Sequence, residues 1–173
     1  MSLNPDPAQM DEGGFVAAYG GIYEHSPWIA KAVWQTLGGK VPRSAIKLSL
    51  LMAGVLEGAG MDAKLALLRA HPDLAGKAAI AGDLTQSSRS EQAGAGLDAC
   101  TAEDFARFER QNAAYKEKFG FPFIVAVKGL TRHDILDQFE VRLQNRRDKE
   151  LQTALAEVNK IARLRLTAME DET

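Results

Sequence analysis

One cysteine in 173 residues, Cys100, leaves no internal disulfide to form, and no Cys or His stands beside it at metal-ligand spacing. A reducing compartment, with the cytoplasm as default, is therefore expected, and structural zinc is not. Basic charge is also short: 21 Lys and Arg against 23 Asp and Glu give a net charge of −2, too little field to hold nucleic acid or an anionic membrane. Long apolar runs are missing, since no stretch approaches the roughly 18 residues of a membrane helix. Residues 1–11 lack the basic-then-apolar order of a signal peptide, and Met169-Glu170-Asp171-Glu172-Thr173 is not a Ser-Lys-Leu type ending. Neither end reads as an address. The three histidines form no His-x-x-x-His or His-Glu-x-x-His pair, and Gly94-Ala95-Gly96 lacks the strand and lysine of a phosphate loop. Strand-like sequence occurs once, at residues 119–127, with no second run to pair with.

What remains is helix, in a length suited to one domain with a single substantial core. Residues 1–10, with Pro5 and Pro7, read as a flexible lead-in outside the fold, and residues 11–170 as a single helical domain. A first helix spans residues 12–19 and stops at Gly20-Gly21; Pro27 opens a second that ends at Gly38-Gly39. The third, residues 43–59, is apolar nearly all round and is expected to be the most buried. A fourth covers 62–70 with Asp62 as cap. Another helix begins in residues 85–92, where Ser88 and Glu91 have capping-box spacing. Thr101 with Asp104 and Thr131 with Asp134 pair a hydroxyl with an acid three residues on, and Asp148 can cap the last helix. Phe105, Phe108, Asn112, Tyr115 and Phe119 follow a 3-4-3-4 stripe. The expected fold class is all-α: a helical bundle of about seven to nine helices with a buried extended connector. A short turn of helix is the other reading of that connector.

Four places carry candidate chemistry. In Ala70-His71-Pro72-Asp73-Leu74-Ala75-Gly76-Lys77 the proline pushes His71 out of the preceding helix, so backbone sterics aim the imidazole. It serves either as a helix-end partner for a carbonyl or as a catalytic group. Glu91 and Ser88 either cap their own helix or present a carboxylate, a hydroxyl and free amides to a polar ligand. The connector must satisfy its buried amides with something, and a bound polar ligand is one of few partners inside a helical bundle. In the last helix Leu151, Leu155, Val158 and Ala162 mark an apolar stripe whose next step lands on Arg165. A core-facing guanidinium needs an acceptor, be it Glu91, another acid or a substrate, unless it snorkels to solvent. His25, His133, Lys77 and Lys128 are weaker candidates, and Cys100 reads as a small buried hydrophobe.

Three separated blocks, His71-Pro72-Asp73-Leu74-Ala75-Gly76, then Ser88-x-x-Glu91-Gln92 running into Ala95-Gly96-Leu97-Asp98, then Phe119-Gly120-Phe121-Pro122-Phe123-Ile124, closely resemble the OHCU decarboxylases of purine degradation. The closing Glu157-Val158-x-Lys160-Ile161-x-x-Leu164-Arg165-Leu166 agrees as well, so the resemblance covers residues 15–166. It implies an all-helical enzyme without cofactor or metal that converts 2-oxo-4-hydroxy-4-carboxy-5-ureidoimidazoline to (S)-allantoin and carbon dioxide. It implies further that His71 and Glu91 are catalytic, and that Pro72, Ser88, Arg89, Ser90, Glu91, Gln92, Phe123, Ile124, Val125, Ala126, Val127 and Arg165 contact the substrate. With the tryptophans of the second helix, Trp28 and Trp34, the resemblance leads us to expect a homodimer. Two departures from the family pattern stand out: polar Gln111 before Asn112, and Cys100 at a position that is usually aliphatic. The rival readings are a helical interaction module using Trp28 and Trp34, which predicts no effect on substrate decay, and a decarboxylase of a related ureido acid.

Overall fold

The computed structural model describes residues 1–76 and 82–171. Through them run eight α-helices: α1 (Glu12–Tyr19), α2 (Trp28–Leu37), α3 (Ala45–Gly58), α4 (Met61–Arg69), α5 (Gln86–Gly94), α6 (Ala102–Phe119), α7 (Arg132–Arg142) and α8 (Arg147–Ala168). Short 3-10 helices stand at Pro7–Gln9 and Leu97–Ala99. Extended pairing among the described residues is limited to one isolated bridge between Leu3 and Glu170, so the fold is all-α as expected. None of these helices is long and apolar enough to cross a membrane.

Most helix starts are decided locally. The Asp11 carboxylate accepts from the Gly14 amide at 2.7 Å to open α1. Thr101 with Asp104 and Thr131 with Asp134 form the two reciprocal capping boxes that the sequence predicts. Three predicted starts are corrected. α4 begins at Met61 after Gly60, which makes no side-chain cap bond, so Asp62 lies in the first turn instead of capping it. Thr85, not Ser88, caps α5: its hydroxyl accepts from the Ser88 amide at 3.3 Å, which places Ser88 inside the first turn and removes the Ser88–Glu91 box. In α8 the Arg146 carbonyl takes the first helical bond and Asp148 sits in the first turn, where its charge still favours the helix dipole.

The residues form two compact units, one within Met1–Ala70 and Asn159–Thr173, the other within His71–Val158. In the first, Phe15 stacks on Tyr19 at 4.9 Å and meets Trp34 at 5.3 Å. Gly39, at φ +80°, turns the chain where a Cβ would come within 3.1 Å of the Trp34 ring. The Tyr19 hydroxyl donates to the Pro5 carbonyl; burial, then the Asp6 charge, push its pKa up to about 12. The first ten residues are part of this unit: Leu3 is buried, its amide bonds the Arg43 carbonyl at 2.8 Å, and the Asn4 amide bonds the Met169 carbonyl at 2.8 Å. α3, apolar nearly all round, is buried on one face. Ala45, Leu48, Ser49, Met52 and Leu56 face inward, while Ile46 and Leu50 are 51% and 68% exposed, because a helix packed on one side leaves its other face in water whatever its composition.

The second unit is built around aromatic rings and one buried ion pair. Phe108, Asn112, Tyr115 and Phe119 line the inner face of α6, in the predicted stripe. Tyr115 packs edge-on against Phe123 at 5.2 Å, and Phe123 stacks on Phe139 of α7 at 3.7 Å. Beside them Arg142, its side chain 8% exposed, donates from Nε to fully buried Glu150 at 2.6 Å. The buried row of α8 is Glu150, Ala154, Val158, Ala162 and Leu166, one position from the predicted stripe at its ends; Leu151 and Leu155 are half-buried. The connector is neither helix nor turn from residue 122 to 127 and is buried at every position from 121 to 127, so the helical-turn reading does not hold.

Two stability predictions follow from these charges. Replacing Glu150 by Ala strands a buried guanidinium and is expected to cost about 3–5 kcal/mol in denaturant unfolding. Backbone donation from Thr101 and Thr131, respectively, holds the Asp104 and Asp134 carboxyls below their ordinary value of 3.8, with Arg132 lowering Asp104 further. A carboxyl lowered in the folded state stabilises at pH above its unfolded pKa, and that gain is lost as pH falls through the folded value. The double variant Asp104→Asn, Asp134→Asn should therefore lose less melting temperature than the parent on acidification below about pH 4.

Candidate active site

α4 ends at Arg69 with Ala70 as its cap, and His71 leaves the helix ahead of Pro72 as predicted. The loop that follows is pinned by three side chains. The Ala75 amide donates to Gln92 Oε1 of α5 at 3.1 Å, Asn112 Nδ2 of α6 donates to the Leu74 carbonyl at 2.9 Å, and Lys116 Nζ pairs with Asp73 at 2.6 Å. Ala75 sits at φ +48°, a left-handed conformation an alanine adopts only when its surroundings hold it there. Gly76 is obligatory, since a Cβ would lie 2.7 Å from that of Asp73. Lys77 falls outside the described residues. Asn112 is 5% exposed; its Oδ1 and the Oε1 of Gln111 have no hydrogen-bond partner among the described residues. The polar departure at Gln111 thus leaves an unsatisfied buried oxygen.

On α5, Ser88 and Gln92 are buried one turn apart, Glu91 is half-buried, and Arg89 and Ser90 are exposed. Arg89 turns back on the chain before its own helix, donating to the Gly82 carbonyl at 2.8 Å and the Leu84 carbonyl at 3.4 Å. His71 and Pro72 are half-buried, and His71, Ser88 and Glu91 all have partners. The bond from Ala75 to Gln92 therefore fixes the loop of His71 against the helix of Glu91. The connector, in the same unit, has two of its backbone groups taken by side chains. Arg142 Nη1 donates to the Ile124 carbonyl at 2.7 Å, and the Ala126 amide donates to Glu157 Oε2 at 2.7 Å.

Arg165 belongs to the first unit. Its side chain is 8% exposed and donates to Glu24 at 2.9 Å and to the carbonyls of Ile22 and Gly21 at 3.3 and 3.4 Å. The core-facing arginine read from the stripe is present, and its acid is Glu24, 141 residues away. Sequence reasoning missed Glu24, Arg142, Glu150 and Glu157 as polar partners. The available signal was an acid or base flanked by buried apolar residues, as in Ile22-Tyr23-Glu24, and it does not say what the charge meets.

The weaker candidates stay weak. His25, His133 and Lys128 are exposed. Burial, then the charge of Asp104, raise the Cys100 thiol above its ordinary value against an opposing Arg132, the reverse of what a nucleophile needs. Trp34 packs on Phe15, and both tryptophans are half-buried. Among the described residues no three His, Cys, Asp or Glu side chains converge to hold a metal ion. What the second unit offers is an imidazole and a carboxylate on elements joined by the Ala75–Gln92 bond and, in the same unit, a buried non-helical connector: groups able to move a proton and backbone able to meet a polar ligand.

Comparison with known proteins bears on the chain as a whole. The OHCU decarboxylase family model matches residues 8–167. A 2-oxo-4-hydroxy-4-carboxy-5-ureidoimidazoline decarboxylase of Halalkalicoccus jeotgali is 44% identical over 162 residues, 93% of this chain and 88% of that protein. The protein of the same name from Mus musculus is 40% identical over 159 residues, covering 91% and 87%. A crystal structure of (S)-allantoin synthase superposes with a TM-score of 0.76 at 30% identity, over 96% of this chain and 54% of that one.

The pinning of the His71 loop is testable by itself. Gln92→Ala leaves the buried Ala75 amide unpaired and should destabilise by about 1–3 kcal/mol in urea unfolding, whereas Gln92→Glu, which keeps an acceptor oxygen, should lose less.

Proposed function

The chain belongs to the OHCU decarboxylase family, and we propose that it decarboxylates 2-oxo-4-hydroxy-4-carboxy-5-ureidoimidazoline to (S)-allantoin in urate degradation, with His71 and Glu91 handling the proton. One observation carries the assignment of these two residues: the bond between the Ala75 amide and Gln92 joins the His71 loop to the Glu91 helix. Residues 11–170 act as one decarboxylase domain on this reading.

In the reaction the bond from the carboxylate carbon to the ring breaks and carbon dioxide leaves. The electron pair passes into the substrate's own imidazoline ring, and a ring carbon then takes a proton on one face. The protein must hold the carboxylate out of the ring plane, stabilise charge entering the ring and fix the proton donor. His71 moves the proton, and Glu91 holds its orientation or accepts from the substrate hydroxyl, a role worth about 10²- to 10⁴-fold in rate. Pro72, Ser88, Arg89, Ser90 and Gln92 surround the substrate on this reading. Residues 123–127 supply backbone groups to its ureido and ring atoms. The Ala126 amide, already taken by Glu157, narrows that supply. Arg165 serves as a planar donor to a ring or ureido carbonyl, with its plane set by Glu24; a tight pair with the leaving carboxylate would stabilise the ground state instead. We further propose a cytoplasmic location, on the strength of the single cysteine, and a homodimer, on the strength of the resemblance and the tryptophans of α2.

The substrate is unstable, so the test generates it in situ with the upstream enzymes of urate oxidation and follows the circular dichroism of enantiopure allantoin. His71→Ala is expected to lower turnover at least about 10²-fold with helix content unchanged. Near-normal turnover in that variant would remove His71 from the mechanism. Arg165→Lys should raise KM; retained affinity would exclude the planar-donor role. An enzyme-independent dichroism trace with the parent protein would support the interaction-module reading instead.

A further inference from the structure

A buried extended segment without a strand partner has to place each backbone amide and carbonyl against something. In the connector two of these groups are answered by charged side chains from two helices, the Ile124 carbonyl by Arg142 of α7 and the Ala126 amide by Glu157 of α8, each at 2.7 Å. Residues 124 and 126 flank Val125 in a stretch that is neither helix nor turn, so the two anchors hold the backbone on either side of it. Neither the amide nor the carbonyl of Val125 has a hydrogen-bond partner among the described residues. Both anchors are charge-assisted, and one is itself immobilised: Arg142 is bound to Glu150 at 2.6 Å and lies 4.4 Å from the centre of the Phe123 ring. Glu157 shares a face of α8 with Glu150, seven residues or two turns before it.

We propose that Glu157 is a positioning residue of the decarboxylation site: with Arg142 it clamps the connector on both sides of Val125, and the backbone groups of Val125, which no group among the described residues takes, are left for the substrate. The inference rests on the substrate-binding role given to residues 123–127 above. Glu157 itself touches neither the substrate nor the proton in transit. Its contribution is to the register of the backbone that meets the ureido group, and so to KM more than to kcat. The residue is half-buried in the middle of a helix, where alanine is well tolerated.

The experiment compares the parent with Glu157→Ala and Glu157→Gln, using substrate made in situ, and adds amide hydrogen exchange at Ala126 by NMR. Glu157→Ala should raise KM about tenfold, the loss of one charge-assisted bond, with kcat changed less than KM. Glu157→Gln, which keeps an oxygen for the Ala126 amide, should restore most of the affinity. Exchange at Ala126 should be slow in the parent and faster in Glu157→Ala. An unchanged KM in Glu157→Ala overturns the clamp while decarboxylation by the parent stands, as does a Glu157→Gln variant as impaired as the alanine one. Should Glu157→Ala fail to fold, the KM of Glu157→Gln and the Ala126 exchange of the parent decide: a fast-exchanging Ala126 amide overturns the clamp. A parent without decarboxylase activity overturns the functional reading instead, and Ala126 exchange then judges the contact alone.

Discussion

The contact between Arg142 and Glu150 is the constraint on which the second unit depends. Both groups are withdrawn from water, and a buried ion pair repays its desolvation only when the remaining donors and acceptors are also matched. Here they are. Glu150 accepts from the Tyr115 hydroxyl at 2.5 Å and from Asn145 at 2.8 Å, while Arg142 reaches the Ile124 carbonyl and lies over Phe123. Burial and the bond to Glu150 together drive the Tyr115 hydroxyl pKa far upward, so it remains a donor throughout the working range. A single cluster therefore joins α6, α7 and α8 to the buried connector. Aromatic packing alone would fill the same space without fixing the register of that stretch, because dispersion is not directional.

The candidate site is made largely of backbone that helices do not consume. In a helix interior every amide and carbonyl is already spent; in the His71 loop and in the connector they are available, at the cost of needing side chains to hold them. Gln92, Asn112 and Lys116 do this for the loop, Arg142 and Glu157 for the connector. The left-handed Ala75 is a consequence: a strained residue persists where neighbours over-determine its conformation. Gln92 stands out because it is among the residues assigned to substrate and is also the strut between loop and helix.

Much of this was legible along the chain. The predicted limits of α1, the glycine stop of α2, the capping boxes of α6 and α7, the release of His71 by Pro72 and the buried connector all follow from interactions within a few residues. The misreadings share one cause. Thr85 and Ser88 both carry a cap hydroxyl, and choosing between them requires knowing which one the rest of the molecule buries. α3 has apolar residues on all sides, yet which of them meet a neighbour depends on where that neighbour lies. Glu150 was passed over as core because an acid in a stripe reads as solvent-facing unless its arginine is known.

Sequence by itself determined the helical class, the family, and the elements that carry His71, Glu91 and Arg165, because sterics, capping and periodicity act over a turn or two of chain. Only the tertiary structure decided the partners: Glu24 for Arg165, Gln92 for the His71 loop, Glu157 for Ala126 and Glu150 for Arg142. A charge in a sequence shows that a partner is needed once the residue is buried; which acceptor lies within hydrogen-bond reach is set by packing between elements that the chain separates by as many as 141 residues.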